Sequence, residues 1–584
     1  MVRHHPVECT GMTQPALDPG LPPAPDFDAV AQRYRAFEKT LAGTSAAAAS
    51  EAVRSWDDLR RELGTWSSLT NLRFTQDTRD AAARAAREAC DEADAMLTGL
   101  DTAMKRRLTT SDARSALESS SAVGRQAFRL WDADLATYDP AIEPDLIAES
   151  NMAAEYLELM SAIEVDFRGE RLNLSGLQKY AADPDRDVRH AAAQARWIAL
   201  GERADELDDL YDRLVRLRDR MARTLGFDGY TPLGYARMRR IDYDRAAVER
   251  YRDAVVAHVV PLAHDIARRA ARRLGTTALA LWDERVLSPE APPRPLGDAH
   301  WIMDRTVEGF AELDPRLGEF AAMMQRRELT DLVARPGKAG GGYCTSFPTL
   351  GVPFIFTNFN GTNADITVLM HELGHAFQAY SSRNQPLVDY LWSTMEAAEV
   401  HSMSLEFLSW PVMERFFGDG AEAYRQNHLS ESVMFLPYGV AVDHFQHLVY
   451  ERPNATPDER HAMWQFVERR YLPWRSYGDL ARPARGAFWQ GQQHIYRSPF
   501  YYIDYTLALC CAMQMWVQAE HDPGDAFARY AALCARGGEA PFRTLVAGAG
   551  LVEPFDPSAL PAIVAKARAV LALSRGDVLP SSQC

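Results

Sequence analysis

The stretch ADELDDLYDRLVRLRDRMARTLG places Leu207, Leu210, Leu214, Leu217 and Met221 at steps of three and four, with charged residues between them. That period collects the apolar side chains on one face of an α-helix, and Gly226 is placed to end it. TRDAAARAAREACDEADAML and DVRHAAAQARWIALGE have the same helical texture, with alanine lowering the conformational cost. DYDRAAVERYRDAVVAHVVPLAHDIARRAARRL predicts one or two further helices, with a break or kink at Pro261. No repeat of fixed period occurs, so a solenoid is not expected.

The texture changes between about Arg335 and Asp365. RPGKAGGGYCTSFPTLG reads as a Gly-rich loop and VPFIFTNF as a short strand of β-branched and aromatic residues. Pro353 places that strand at a sheet edge, or itself at the strand start, because it has no amide hydrogen to donate. Asn360-Gly361 is a turn signal, and Thr362, Asn363 and Asp365 are candidate caps for the helix TNADITVLMHELGHAF. The pattern predicts a mainly α fold with one small sheet beside that helix. The division expected from it is a mobile tail at 1–25, a helical region at 26–195 and a C-terminal unit at 196–584, with helices on both sides of the second boundary.

Composition narrows the function. The 584 residues are 47% hydrophobic and 25% charged, enough apolar material for a large core in a soluble protein. A net charge of −16 argues against a general nucleic-acid or acidic-membrane binder, since both need positive potential. An acidic cavity for cationic substrates fits this balance, but charge alone does not place carboxylates in a cavity. Cys9, Cys90, Cys344, Cys510, Cys511, Cys534 and Cys584 are scattered and form no CxxC pair, so reduced thiols are expected. The N-terminus has no signal-peptide core, and the best apolar run, LALCCAMQMWV, is short and contains Gln514. The expectation is a cytoplasmic protein.

The chemistry concentrates in ITVLMHELGHAFQAY. His371 and His375 lie four apart, on one helix face and about one turn from each other, a spacing that lets two imidazoles meet one zinc ion. Glu372 is rotated off that line, placed to act on water as a base and not to ligate. A chance HExxH is common enough that a third ligand must be found. The metzincin completion fails, because Gln378 and Ser381 stand where Gly and His are required. LWSTMEAAEVHSMSLEFLSW instead offers Glu396, Glu399 and Glu406 in a largely apolar helix. Glu399 and Glu406 are two turns apart and point the same way, so one can ligate while the other orients an imidazole. Spacing leaves the choice among the three open.

At these residues, HELGHAFQAY (371–380), NQP (384–386) and MEAAEVHSMSLEF (395–407), the chain resembles the M3 family of zinc peptidases, in its oligoendopeptidase F branch. GGGYCTSF, PFIFTNF, MRRIDYD (238–244) and HIYRSPFYYIDYTLA (494–508) extend the resemblance. It covers most of residues 195–575, strongly at the metal motif and diffusely elsewhere. It implies a two-lobed helical, zincin-type fold with a deep channel that admits short peptides, and one zinc per chain. It implies His371, His375 and Glu399 as ligands, Glu372 as general base and Glu406 in the outer shell, where Glu396 is a further candidate. The tyrosine segment implies donors to the substrate carbonyl, expected at Tyr505 and Tyr502, then His494. Phe354 and Phe356 of the strand edge, Gly341, Gly342 and Tyr343 of the loop, and Tyr501 are expected to touch the peptide. The loop is not a phosphate loop, since Ala339 follows Lys338. The rival readings are a glutamate-type zinc exopeptidase (an aminopeptidase or a carboxypeptidase) and a non-catalytic peptide-binding protein. No GxMEN-like amine-binding motif is visible.

Overall fold

The computed structural model describes residues 20–41, 45–287 and 292–573. Most of the tail expected at 1–25, with Cys9 and also Cys584, lies outside the described residues. The expected helices occur at Ala81–Thr109, Arg186–Glu202 and Ala204–Thr224. All five stripe residues of the last are buried. Gly226, at φ 81°, turns the chain so that the Phe227 amide bonds back to the Ala222 carbonyl. Near Pro261 the helix Arg245–Ala254 widens into a π-turn over Val255–Val259 and resumes as Val260–Arg273. Proline cannot donate to the carbonyl four residues back, and the wider turn absorbs that loss without ending the helix.

Residue 195 falls inside the helix Arg186–Glu202, so no loop marks the boundary expected there. Burial groups the chain differently. Side chains from Val30 to Trp131 form one core, joined by Leu387 and Tyr390. Those from Ile142 to Leu573, with Leu69 and Leu72, share a second and larger one. Cys90, Cys344, Cys510, Cys511 and Cys534 are free thiols. No helix among the described residues is long and apolar enough to cross a membrane.

A hairpin pairs β1 (Glu164–Phe167) with β2 (Glu170–Asn173). The sheet beside the motif helix contains β3 (Thr330–Val333), β4 (Tyr343–Phe347) and β5 (Val352–Phe359), in the order β3-β5-β4. VPFIFTNF is therefore the central strand, not an edge. Pro353 is tolerated because it is the second residue of β5, while β3 pairs only from Ile355 onward. The missing amide hydrogen thus falls before β3 has begun, where β4 alone runs alongside at Ser346. Phe354 and Phe356 are 5% and 0% exposed, so they pack the core and do not present an edge to a peptide. The edges of the sheet are β3, parallel to β5, and β4, antiparallel to it.

The Gly-rich loop is tied down from inside. The Lys338 ammonium donates to the Asp331 carboxylate and to the carbonyls of Asp331, Val333 and Thr357. The Asn358 amide holds the carbonyls of Ala339 and Gly341. Between Gly337 and Gly342, the exposed residues are Gly340, Gly341 and Gly342.

Candidate metal centre

The motif helix, Asn363–Ser381, begins at a capping box built on Thr362 and Asp365. The Asp365 carboxylate accepts the amides of Asn360, Gly361 and Thr362, satisfying donors that a helix start leaves free. Leu369, Met370, Leu373 and Ala376 are fully buried and fix the helix's rotation, so that His371 and His375 turn toward a common point. Their ring centroids are 4.9 Å apart.

Gly374 explains how the second stretch reaches them. A Cβ at this position would lie 2.6 Å from the His401 carbonyl oxygen and from the Ser402 Cα. Without one, the helix Met395–Leu408 crosses in backbone contact and brings Glu399 to the imidazoles. Glu399 Oε2 lies 3.3 Å from His371 Nε2 and 3.5 Å from His375 Nε2. Ligands bound tetrahedrally at about 2.0–2.1 Å are separated by roughly 3.4 Å, so the three donors fit a zinc-sized dication. They form the one such convergent group among the described residues.

A hydrogen-bond chain orients the first imidazole. Trp410 Nε1 can only donate, and it donates to His428 Nδ1 at 3.2 Å. His428 Nε2 must then carry its proton, which it gives to Glu406 Oε2 at 2.7 Å. Glu406 Oε1 accepts from His371 Nδ1, also at 2.7 Å, leaving His371 Nε2 its lone pair for a cation. Glu406 thus accepts from two N–H groups at once. Replacing it with glutamine leaves one acceptor oxygen for both, so Glu406→Gln is expected to weaken metal binding by about 10–100-fold. Competition against a chromophoric chelator would measure this, and unchanged affinity would remove Glu406 from the orienting chain.

The electrostatics favour positive charge here. Burial alone would raise the Glu399 pKa, but the adjoining His371 and His375 hold it well below the carboxylate range. Burial would lower that of His371, yet Glu399 and Glu406 raise it well above its ordinary value. A dication supplies the same kind of charge. Glu372 is 8% exposed, and its carboxylate makes no hydrogen bond among the described residues. Burial raises its pKa, with the charges of His371 and His375 acting against the rise. Cys344 of β4 lies close by, its thiol pushed up by burial and by the Glu372 charge.

The aromatic segment arrives through a strained turn. Phe500 has φ 66°, a costly value for a residue with a side chain. It is held there by Arg240, which donates to its carbonyl, and by Gln446, which accepts its amide. The same guanidinium pairs with Asp504 at 2.6 Å, both side chains fully buried. That turn aims Tyr501, whose hydroxyl donates to Glu399 Oε1 at 2.9 Å. The Tyr505 ring is 5.0 Å from that of Tyr501. His494 lies 4.9 Å from the Tyr502 ring and 6.0 Å from Tyr501 and Tyr505. Burial lowers His494 to about 4, so its imidazole is neutral at pH 7.

The structure thus distributes the expected residues unevenly. Tyr501, expected as a peptide contact, sits on the Glu399 carboxylate with Tyr505 beside it. Tyr502 packs against Phe435 and Tyr438 instead. The Tyr343 hydroxyl is bonded to Thr75 at 2.6 Å, and its ring stacks on Phe356. Gly341 and Gly342 stand at the exposed loop tip. Glu396 is not in the convergent group. It is 1% exposed near Arg240 and Asp504, and burial and the Asp504 charge raise it to about 8. The sequence reading missed His428, Trp410, Ser402 and Gln446. The one available signal was a polar residue inside a long apolar helix.

Comparison with known proteins matches residues 316–562 to the model of peptidase family M3 and residues 23–138 to the M3 N-terminal domain. A solved structure of PZ peptidase A with an inhibitor is 41% identical. The match covers 94% of this chain and 98% of that one, with a TM-score of 0.88. Two proteins provisionally named oligoendopeptidase F are 43% and 38% identical, with TM-scores of 0.88 and 0.84. Each match covers 94% of this chain and 97% of the other; the second protein is from Bacillus anthracis. No curated protein sequence matches.

Proposed function

The chain belongs to peptidase family M3, and we propose that it is a zinc-dependent oligoendopeptidase that hydrolyses internal bonds of short peptides. The observation that carries this reading is the meeting of His371, His375 and Glu399 beside a Glu372 carboxylate free of protein partners. Zinc held by those three side chains would act as a Lewis acid, polarising a carbonyl oxygen and lowering the pKa of water. Glu372 takes the proton of the attacking water and hands it to the departing amine, and its raised pKa suits both transfers. Tyr505, with neutral His494 near it, donates a hydrogen bond to the oxygen that gains charge in the transition state, while Tyr501 donates to Glu399 and positions that carboxylate. The main chain of β4, the edge next to Cys344 and Glu372, offers ladder hydrogen bonds to an extended peptide with little demand on its sequence.

A quenched peptide blocked at both termini tests the proposal. Cleavage is expected in its interior, with loss on chelation and recovery on adding zinc. Failure to cut blocked peptides while cutting free ones would favour an exopeptidase. Binding without any cleavage would favour the non-catalytic alternative.

A further inference from the structure

The long helix Ala421–Glu451 packs against the helix Tyr502–His521, which carries Tyr505. His428 on the long helix bonds Glu406. Phe435 and Tyr438, further along it, meet the Tyr502 ring at 5.7 and 5.8 Å, and Tyr438 donates to Gln492, which contacts His494. Glu431 comes three residues after His428 and four before Phe435. It therefore faces the gap between the imidazole–carboxylate centre and the tyrosine–histidine cluster.

Glu431 is exposed although the helix around it is largely buried. Among the described residues no hydrogen bond or ion pair holds its carboxylate. The surrounding protein still desolvates it enough to raise its pKa, with the nearby Arg285 acting against the rise. A group that water reaches but protein surrounds lies in a cleft and not on an outer surface. Arg285, also exposed, makes no ion pair with it. A carboxylate left alone in such a place gains most from a charged donor brought by a ligand.

We propose that Glu431 is a specificity-determining residue that receives a cationic group of the bound peptide, either its terminal ammonium or a basic side chain. The inference rests on the peptidase reading above and names a substrate class for that site. It gives the chain's net negative charge a definite place of action.

Three peptides of one sequence test it: one with a free N-terminus and a lysine, one N-acetylated, and one N-acetylated with norleucine replacing the lysine. Glu431→Gln is expected to lower kcat/KM about ten-fold or more on peptides carrying the recognised cation, mainly through KM. The cation-free peptide is expected to be cut at the wild-type rate, and Glu431→Asp to restore part of the preference. The peptide at which sensitivity disappears identifies the source of the cation. An equal effect on all three peptides, or none on any, overturns the inference. So does an Arg285→Ala variant that impairs cleavage of the cation-free peptide, since the carboxylate would then serve an internal ion pair. Calorimetric binding of the same peptides to Glu372→Gln, with and without Glu431→Gln, separates this inference from the peptidase reading. Selective loss of affinity for the cationic peptide supports it even without turnover, and equal affinity for all three overturns it.

Discussion

Glu372→Gln is expected to lower kcat for peptide cleavage by about 10²- to 10⁴-fold while metal content and folding stay as in the parent chain. Glutamine matches the size of glutamate in a site that is 8% exposed, so packing changes little. It removes the one group near the imidazoles that combines a carboxylate with freedom from protein partners. The three convergent donors are untouched, because Glu399 takes its contacts from His371, His375, Ser402 and Tyr501 and none from Glu372. Single-turnover cleavage and metal analysis on one preparation would check both halves. Cleavage at the parental rate would remove Glu372 from proton transfer. Loss of metal would instead assign it to the ligand set.

The second large effect is expected at a residue with no side chain. Gly374→Ala puts a methyl group 2.6 Å from the backbone of His401 and Ser402, and backbone cannot swing aside as a flexible side chain can. Alanine favours the helix by about 0.5–1 kcal/mol over glycine, but forcing a methyl into a filled contact costs about 1–3 kcal/mol, so the clash wins. The two helices must move apart by a sizeable fraction of an ångström, and the 3.3 and 3.5 Å separations that define the metal pocket lengthen with them. Metal affinity is expected to fall on the order of 100-fold, the scale that a shift of about 1 Å commonly costs at a site. Zinc titration with thermal unfolding would measure both effects. Parental affinity in a stable variant would mean that the crossing is looser than Gly374 implies.

The helices were legible where apolar period and capping agreed. Leu207 to Met221 form a single buried stripe, and Thr362 with Asp365 caps the motif helix. Pro353 left an edge strand and a strand start both open, and the second holds, because a proline at the second position of a central strand carries the same local signature as one on an edge. Only the order β3-β5-β4 distinguishes them. The same reason moved Phe354 and Phe356 from a peptide edge into the core. Tyr501 and Tyr502 are adjacent in sequence and alike in chemistry, and the left-handed turn at Phe500, held by the distant Arg240 and Gln446, sends one to Glu399 and the other into packing.

By itself the sequence determined the two histidines one turn apart, the glutamate beside them and a short list of carboxylates for the third place, because helical spacing is a local property. Spacing left the third place open and the family resemblance implied Glu399; the tertiary structure brings Glu399 into the group and sets Glu396 beside Arg240 and Asp504. It also decided that His428 steadies Glu406 and that Glu431 stays exposed on a largely buried helix. Those outcomes depend on how separate helices cross, and a crossing is set by contacts between residues far apart in the chain, such as Gly374 against His401, which no local pattern records.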